Sequence, residues 1–348
     1  MTEGATDTRL PTDTRGDTTR GDTTRSDAAR RDTTRSDAAR RAAPGNGAGN
    51  DDARPGAVRT WLLATRPATL LAGVAPVLIG VAFAAHDGVF ALLPALAALV
   101  GSILIQIGTN LANDYFDFRK GADTADRLGP ARVTQRGWLT PRQVLTATIL
   151  TFALAFVAGL YLVAHAGWPL LVVGLVSIAC GILYTGGPWP LGYLGLGDIF
   201  VLVFFGPVAV LGTYYVQAHT LSTPAFVGSL TVGLLSTAIL VVNNLRDRVT
   251  DVHAGKRTLA VRFGPGFARA EYLVTVLAPY AIVAASVATG LFPTTTTLVV
   301  VTLPLALKSI AAVNRRDGQA LNPMLGATAR LTALFAIALC VGLLWQLG

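Results

Sequence analysis

The sequence is poor in charge, in cysteine and in histidine, and each shortage excludes a class of protein or site. Only 14% of its 348 residues are charged, whereas 52% are hydrophobic, and this is too apolar for a soluble fold of such length. The two cysteines, Cys180 and Cys340, each lie inside an apolar stretch, so no disulfide or thiolate metal site is expected. The four histidines are scattered. The composition therefore predicts an all-α membrane protein that crosses the lipid bilayer several times.

The first 57 residues differ in composition from the rest of the chain. They hold 10 Arg and 10 acidic residues, and residues 16–40 form five related pentads, such as GDTTR and SDAAR, without an apolar side chain larger than Ala. Such a segment cannot form a core, so residues 1–57 are predicted to be a disordered tail and residues 58–348 a membrane domain. Lacking a basic excess and aromatic residues, the tail predicts no nucleic-acid partner. Lacking an apolar signal-peptide core, it predicts a cytoplasmic N-terminus.

Stretches without any charged residue predict the number of membrane spans. These stretches are residues 67–86, 88–113, 143–197, 199–245, 272–307 and 331–348. At roughly 20 residues per crossing they hold nine helices. The long stretches divide at turn-forming segments near 164–169, 217–224 and 289–297. With the N-terminus inside, the outward loops hold no Lys or Arg, and this asymmetry predicts a multi-pass protein of the plasma membrane.

Two patches rich in Asn and Asp interrupt the apolar sequence, NLANDYFDFRKGAD at 110–123 and NNLRDRVTDVHAGKR at 243–257. Each contains Asn-x-x-x-Asp and a second Asp about one turn later, which predicts one polar face on a helix. Carboxylate and amide oxygens suit Mg²⁺, which reaches a phosphate through one or two carboxylates. The predicted catalytic residues are Asp114, Asp117, Asp247 and Asp251. The predicted metal ligands are Asn110, Asp114, Asp117, Asp123, Asp247 and Asp251.

Basic and amide side chains around the two patches suit a diphosphate or a carboxylate, because Arg binds such groups through two hydrogen bonds and Lys supplies a point charge. The predicted substrate-binding residues are Arg66, Asn110, Asn113, Lys120, Arg132, Arg136, Tyr184, Asn243, Asn244, Lys256 and Arg257. For any single Lys or Arg the alternative is that it only sets the membrane topology, and Tyr184 could equally be an interfacial aromatic residue.

Residues 58–348 resemble the UbiA superfamily of intramembrane prenyltransferases. The two patches carry the resemblance, together with GPAR at 129–132, YTGGPWPLGYLGLGD at 184–198 and GTYYVQ at 212–217. In this order the motifs are most similar to the branch that prenylates 1,4-dihydroxy-2-naphthoate in menaquinone biosynthesis. The resemblance implies a nine-helix bundle with a cytoplasmic-side cavity, in which two Asp-rich motifs bind Mg²⁺ and a polyprenyl diphosphate. Where the wider superfamily often has a further Asp, this sequence has Gly121, and its next acid is Asp123.

The implied reaction is Mg²⁺-dependent transfer of a polyprenyl group to 1,4-dihydroxy-2-naphthoate with decarboxylation, giving demethylmenaquinone. Two alternatives are a prenyltransferase for 4-hydroxybenzoate, homogentisate or a chlorophyllide, and an ion-coupled transporter. The GKRTLAVRFG run at 255–264 and the YTGGP segment argue against another aromatic acceptor. A transporter would place its acids near the membrane midplane on broken helices, whereas these acids lie at the ends of the predicted spans.

Overall fold

A computed structural model of the protein describes residues 55–122, 128–130 and 132–345, without the side chain of Ala68. The described residues are mostly helical, and none of them forms a β-strand. Nearly all of the predicted tail, and also Asp123, lie outside these residues, so the predictions made for them stay predictions.

Eleven α-helices follow one another along the described part of the chain. They are α1 (Ala57–Thr65), α2 (Pro67–His86), α3 (Leu92–Arg119), α4 (Pro141–Ala166), α5 (Pro169–Leu183), α6 (Gly197–Val203), α7 (Ala209–Ala218), α8 (Thr223–His253), α9 (Leu259–Ala288), α10 (Leu303–Asn314) and α11 (Asn322–Leu344). A π-helical turn at Phe204–Val208 joins α6 to α7. Turns of 3₁₀-helix at Thr294–Thr302 and Gly318–Leu321 precede α10 and α11.

The helices confirm the all-α membrane class. Among the described residues, eight helical segments are long and apolar enough to cross a membrane. They are α2 from Thr69, α3, α4, α6 with α7, α8, α9, Thr294–Asn314 and Gly318–Leu344. The remaining predicted span corresponds to α5, which has 15 residues and is therefore shorter than a full crossing of roughly 20 residues. Pro169 begins α5, and the turn that contains Gly186 and Gly187 follows it.

Turn chemistry sets the helix ends where the sequence predicted breaks. Gly167 follows α4 with a φ of 96°, a conformation that favours glycine, and Pro169 then begins α5. At the start of α4 the Thr140 hydroxyl accepts the Gln143 N–H at 3.3 Å, and the Gln143 side chain accepts the Thr140 N–H at 2.9 Å. This reciprocal cap satisfies two backbone donors and fixes where the loop before α4 ends.

Several helices continue beyond the charge-free stretches that predicted them. α3 extends past residue 113 to Arg119, and α8 extends past residue 245 to His253, so Asp114, Asp117, Asp247 and Asp251 all lie in helices. α9 begins at Leu259, thirteen residues before the predicted stretch at 272, and is kinked at Gly264, which has a φ of 84°; Arg262 precedes the kink and Arg269 follows it. The absence of charge therefore marks the lipid-exposed or buried part of a helix, but a helix can continue where water or protein partners accept the charges.

The largest buried cluster lies among α2, α8, α9, α10 and α11, and includes Ile79, Phe83, Leu235 and Phe335. Small residues allow close approach between helices. At Gly80 of α2, an added Cβ would lie 2.6 Å from the Val210 carbonyl oxygen of α7. α8 is thus packed from several sides, and the second polar patch lies at the end of a firmly held helix.

Candidate active site

A cavity of about 950 Å³ lies along α3, α4, α5, α7 and α8. Its lining positions on α3 run from Ala98 to Asp117, which corresponds to about 28 Å of helix. Polar side chains of both patches line one part of it, namely Asn110, Asn113, Asp117, Asn243, Asn244, Asp247 and Asp251. Most of the remaining wall is apolar, and includes Phe156, Leu160 and Phe204. The cavity therefore suits a long apolar molecule with a charged head.

The first patch contributes two asparagines to the cavity wall, and neighbouring elements fix both. Asn110 donates from Nδ2 to the Thr65 carbonyl oxygen at 3.0 Å and to Thr69 Oγ1 at 2.9 Å. Asn113 accepts a hydrogen bond at 2.8 Å from Thr185 Oγ1, in the turn after α5. These contacts join α3 to the α1–α2 junction and to the turn that follows α5.

Asp117 also lies on the cavity wall and is the most heavily contacted acid of the first patch. It is only 1% exposed. Its Oδ2 accepts a hydrogen bond from Arg132 Nη2 at 2.9 Å, and its Oδ1 accepts one from the Tyr193 hydroxyl at 2.8 Å. Lys256 Nζ lies 4.0 Å from Oδ1. A buried carboxylate requires such partners, because a charge that is removed from water is costly when unpaired.

Asp114 is buried but is not part of the described cavity wall. Its Oδ2 accepts the Val133 N–H at 3.2 Å, and its Oδ1 has no hydrogen-bond partner among the described residues. On an α-helix, Asp114 lies about 40° to one side of Asn110, whereas Asn113 lies about 60° to the other side. The cavity faces the Asn113 side, so the predicted polar face of α3 is rotated and Asp114 contacts the loop before α4.

The acids of the second patch lie on the cavity wall, as do Asn243 and Asn244. Arg246, which is 1% exposed, pairs with Asp247 through Nε at 2.7 Å and through Nη2. Its Nη2 also donates to Asn243 Oδ1 at 2.8 Å, and its Nη1 donates to Asn322 Oδ1 at 3.1 Å. Arg246 thereby fixes Asp247 in the wall and connects α8 to the start of α11.

The two patches meet at Lys256. Its Nζ lies 3.7 Å from Asp251 Oδ1 and 4.0 Å from Asp117 Oδ1, so one ammonium group lies near an acid of each patch. Gly255, with a φ of 71°, makes the turn after α8, and the Lys256 N–H donates to the Asp251 carbonyl oxygen at 2.9 Å. The left-handed turn is what returns the chain towards the cavity.

Lys120 lies beside this cluster rather than on the cavity wall. Its Nζ donates to the carbonyl oxygens of Thr185 at 2.6 Å and Gly187 at 3.2 Å. The pKa of Lys120 is lowered from its ordinary value, chiefly because its ammonium group is partly removed from water; Asp117 opposes this shift and Lys256 adds to it.

The structure separates the remaining predicted residues into two groups. Arg66, Arg132 and Tyr184 lie on the cavity wall. Arg136 and Arg257 are exposed and do not line the described cavity. Arg257 lies close to it nevertheless, and its backbone N–H donates to the Tyr193 carbonyl oxygen at 2.8 Å.

Sequence reasoning missed four residues that hold the site together: Thr185, Tyr193, Arg246 and Asn322. Arg246 lies inside the second patch, where it was considered only for topology. Tyr193 lies in a glycine-rich loop between predicted spans, and a tyrosine in such a loop on the same side as both patches is the signal that could have indicated it. Thr185 and Asn322 carry no local signal, because their contacts are with residues 72 and 76 positions away.

The donor set fits Mg²⁺ that is shared with a diphosphate. Among the described residues, no three His, Cys, Asp or Glu side chains form a group able to hold a metal ion by themselves. The cavity wall instead offers hard oxygens, with the Asp117 and Asp251 carboxylates converging on the Lys256 ammonium. Mg²⁺ normally takes one or two carboxylates and completes its coordination with water and phosphate oxygens. Softer metals prefer nitrogen or sulfur ligands, whereas the acids that converge on Lys256 offer hard carboxylate oxygens.

Comparison with known proteins identifies the family. The model of the UbiA prenyltransferase family matches residues 73–326. A 1,4-dihydroxy-2-naphthoate octaprenyltransferase of Escherichia coli K12 is 40% identical over 292 residues, covering 82% of this chain and 95% of that protein. A protein of the same name from Mycobacterium tuberculosis is 41% identical over 284 residues, covering 80% of this chain and 94% of that protein.

A solved structure shares the fold. The structure of a UbiA homolog from Archaeoglobus fulgidus, bound to DMAPP and Mg²⁺, superposes with a TM-score of 0.58 at 16% identity, covering 81% of this chain and 99% of that one. The resemblance that the sequence motifs indicated is confirmed, and with it the assignment as a prenyltransferase. The chain belongs to the UbiA prenyltransferase family.

Proposed function

We propose that the protein transfers a polyprenyl group from a polyprenyl diphosphate to 1,4-dihydroxy-2-naphthoate, with loss of the carboxyl group as CO₂. The observation that carries the proposal is the cavity, which places the acids of both patches at one end of a largely apolar wall. The relatives named for the naphthoate acceptor match over most of their own length and support this choice of acceptor.

The prenyl diphosphate would lie with its head at Lys256 and its tail along the apolar wall. Lys120 is close enough to the head group to add positive charge. The tail of such a lipid would pass from the bilayer to a mostly apolar wall, so its binding leaves no polar group unpaired. Phe156, Leu160 and Phe204 are among the wall residues that would cover it.

Mg²⁺ would be held by Asp117 and Asp251, with Asp247 beside them on the wall. When bound, it supplies positive charge that neutralises the diphosphate as that group leaves. The metal roles of Asn110 and Asp114 stay predictions, since in the structure both side chains contact neighbouring elements.

The reaction breaks the allylic C–O bond, and the bonding electron pair leaves with the diphosphate. The ring carbon that bears the carboxylate then forms the new C–C bond, and the carboxylate departs as CO₂, returning its bonding electrons to the ring. The product is the quinol, and a separate oxidation gives demethylmenaquinone. Lys256 would stabilise the charge that develops on the leaving diphosphate. The apolar wall excludes water from the allylic cation, and the ring of Tyr184, on the wall, would stabilise that cation.

The acceptor carries a carboxylate that must approach a site already rich in negative charge, so a cation has to offset the repulsion. Arg132 suits this role because its guanidinium group lies on the cavity wall, 2.9 Å from Asp117 Oδ2. Arg136 follows in the same loop, where its exposed position suits the mouth of the cavity better than its interior.

The orientation that suits this chemistry places the polar end of the cavity in the cytoplasm of a plasma-membrane protein. Lys and Arg residues concentrate at 119–142, 246–269 and 308–316, and the first two of these segments adjoin the acidic patches. Positive residues of short loops favour the cytoplasmic side.

The test uses the purified full-length protein in liposomes, with Mg²⁺, a radiolabelled prenyl diphosphate and carboxyl-labelled 1,4-dihydroxy-2-naphthoate. We expect a lipophilic quinone and labelled CO₂ in equal amounts. EDTA should abolish both products, and added Mg²⁺ should restore them. A parallel reaction offers 4-hydroxybenzoate, and its prenylation in place of the naphthoate would contradict the proposed acceptor. Turnover that survives exhaustive EDTA treatment would contradict the proposed requirement for Mg²⁺.

A further inference from the structure

Tyr193 lies outside both acidic patches, in the loop between α5 and α6, and its side chain reaches the cavity wall. The loop is held against the segment that follows the second patch. The Tyr193 carbonyl oxygen accepts the Arg257 N–H at 2.8 Å, and the Arg262 guanidinium group donates to the Leu194 carbonyl oxygen at 2.7 Å. Gly195 permits this approach, because its φ is 77° and an added Cβ would lie 2.5 Å from the Arg257 carbonyl oxygen. The position of Tyr193 is therefore fixed relative to the end of the second patch.

The hydroxyl group of Tyr193 reaches the first patch. It donates to Asp117 Oδ1 at 2.8 Å, while the other oxygen of that carboxylate accepts from Arg132. A hydrogen bond to each oxygen fixes the plane of the carboxylate. The hydrogen bond from Tyr193 also adds no net charge, so it can orient Asp117 without competing with a metal ion for its negative charge.

The ring of Tyr193 contacts two cations, one from each patch. Lys120 Nζ lies 4.9 Å from the ring centroid, and Lys256 Nζ lies 5.0 Å from it. Both distances are within the range in which an aromatic ring attracts an ammonium group. Two ammonium groups near each other repel, and the negative face of a ring reduces the cost of holding them together.

We infer that Tyr193 is a positioning residue for the prenyl diphosphate and its metal, acting on Asp117 through its hydroxyl and on Lys120 and Lys256 through its ring. The inference rests on the proposed function. Groups that are already placed before the substrate binds lower the cost of binding, because they lose less conformational freedom. The two groups of Tyr193 would affect different steps of binding. Its hydroxyl, through Asp117, would affect metal binding, and its ring, through Lys120 and Lys256, would affect diphosphate binding.

The test measures binding of geranyl thiodiphosphate, an unreactive analogue, to the full-length protein at varied Mg²⁺ concentration. Tyr193→Phe keeps the ring and loses the hydroxyl, so the Mg²⁺ concentration at half-saturation should rise several-fold. The Kd of the analogue at saturating Mg²⁺ should then stay within about twofold of the unaltered protein. Tyr193→Leu loses both contacts, and that Kd should rise by about tenfold. The KM for the naphthoate should change in neither variant.

The matched control is Tyr280→Phe, which loses a tyrosine hydroxyl 2.7 Å from Thr302 Oγ1, away from the cavity wall. It should leave both the Kd and the Mg²⁺ dependence unchanged. Unaltered analogue binding by Tyr193→Leu would overturn the role of the ring. Should that variant fail to insert, unaltered Mg²⁺ dependence in Tyr193→Phe overturns the inference by itself. If the unaltered protein does not bind the analogue at all, it is the proposed function that fails.

Discussion

The two acidic patches have similar sequences but present them differently to the cavity. In the second patch, Asn243, Asp247 and Asp251, spaced four residues apart, all line the wall. In the first, Asn110 and Asp117 line the wall, whereas Asp114 contacts the loop before α4. The same Asn-x-x-x-Asp spacing therefore corresponds to two different rotations of a helix about its axis. Spacing defines which side chains share a face, but packing decides which part of that face meets the substrate.

One wall aspartate of each patch pairs with an arginine, but the two arginines come from different parts of the chain. Asp247 pairs with Arg246, its neighbour in the chain, and that arginine is buried although it also contributes to the cavity wall. Asp117 pairs with Arg132, fifteen residues away in a loop, and that arginine lies on the cavity wall. Because Arg246 also donates to Asn243 and to Asn322 at the start of α11, we expect it chiefly to support the fold, and we expect Arg132, in its loop, to meet a substrate.

The largest effects are expected from the wall acids. Asp117→Asn and Asp251→Asn preserve shape and remove charge, and each should lower kcat/KM by about 10² or more, the scale of losing one well-placed electrostatic group. Membrane insertion should be retained, although Asp117→Asn should lower the thermal unfolding temperature because it leaves buried Arg132 without its charged partner. Radiolabelled prenyl transfer at saturating Mg²⁺ provides the measurement. A large loss in one variant with near-native turnover in the other would show that the patches are not two halves of one site.

A smaller and more selective effect is expected from the two arginines. Arg246→Gln removes one partner of a buried ion pair, a change that typically costs about 3–5 kcal/mol of stability, so the thermal unfolding temperature should fall. Arg132→Gln also breaks a buried pair, so it should lower that temperature too. In addition it should raise the KM for the naphthoate more than that for the prenyl diphosphate, since lost ground-state binding appears in KM.

An equal rise in the naphthoate KM in the two arginine variants would contradict their division into supporting and substrate-facing roles. A KM shift confined to the diphosphate would assign Arg132 to the other substrate. Arg136→Gln tests the same prediction at an arginine of the same loop that is exposed outside the described wall, so its effect on the naphthoate KM should be smaller.

The sequence predicted the membrane class and the helix breaks, because those features depend on local composition; it also singled out the acids of both patches, three of which the structure places on one cavity wall. Charge-free stretches located the spans, and the breaks near Gly167 and Ser222 follow from turn and capping residues. The length of α5 and the rotation of α3 were not predictable in the same way, since both depend on neighbours distant in sequence. Tyr193 illustrates the limit: its contact with Asp117 joins residues 76 positions apart, and no spacing within either patch indicates it.

The smallest effect is expected from Asp114, and it tests the comparison between the patches most directly. Asp114→Asn retains an oxygen that can accept the Val133 N–H and removes the negative charge. If Asp114 mainly holds the loop before α4, kcat/KM should fall by less than about tenfold. The substitution then only replaces a charged hydrogen-bond acceptor with a neutral one. Asp114→Ala should cost more, about 1–3 kcal/mol of stability, since the buried Val133 N–H would lose its acceptor. A loss in Asp114→Asn as large as that in Asp117→Asn would instead make Asp114 a metal ligand, and the two patches would then use their aspartates alike.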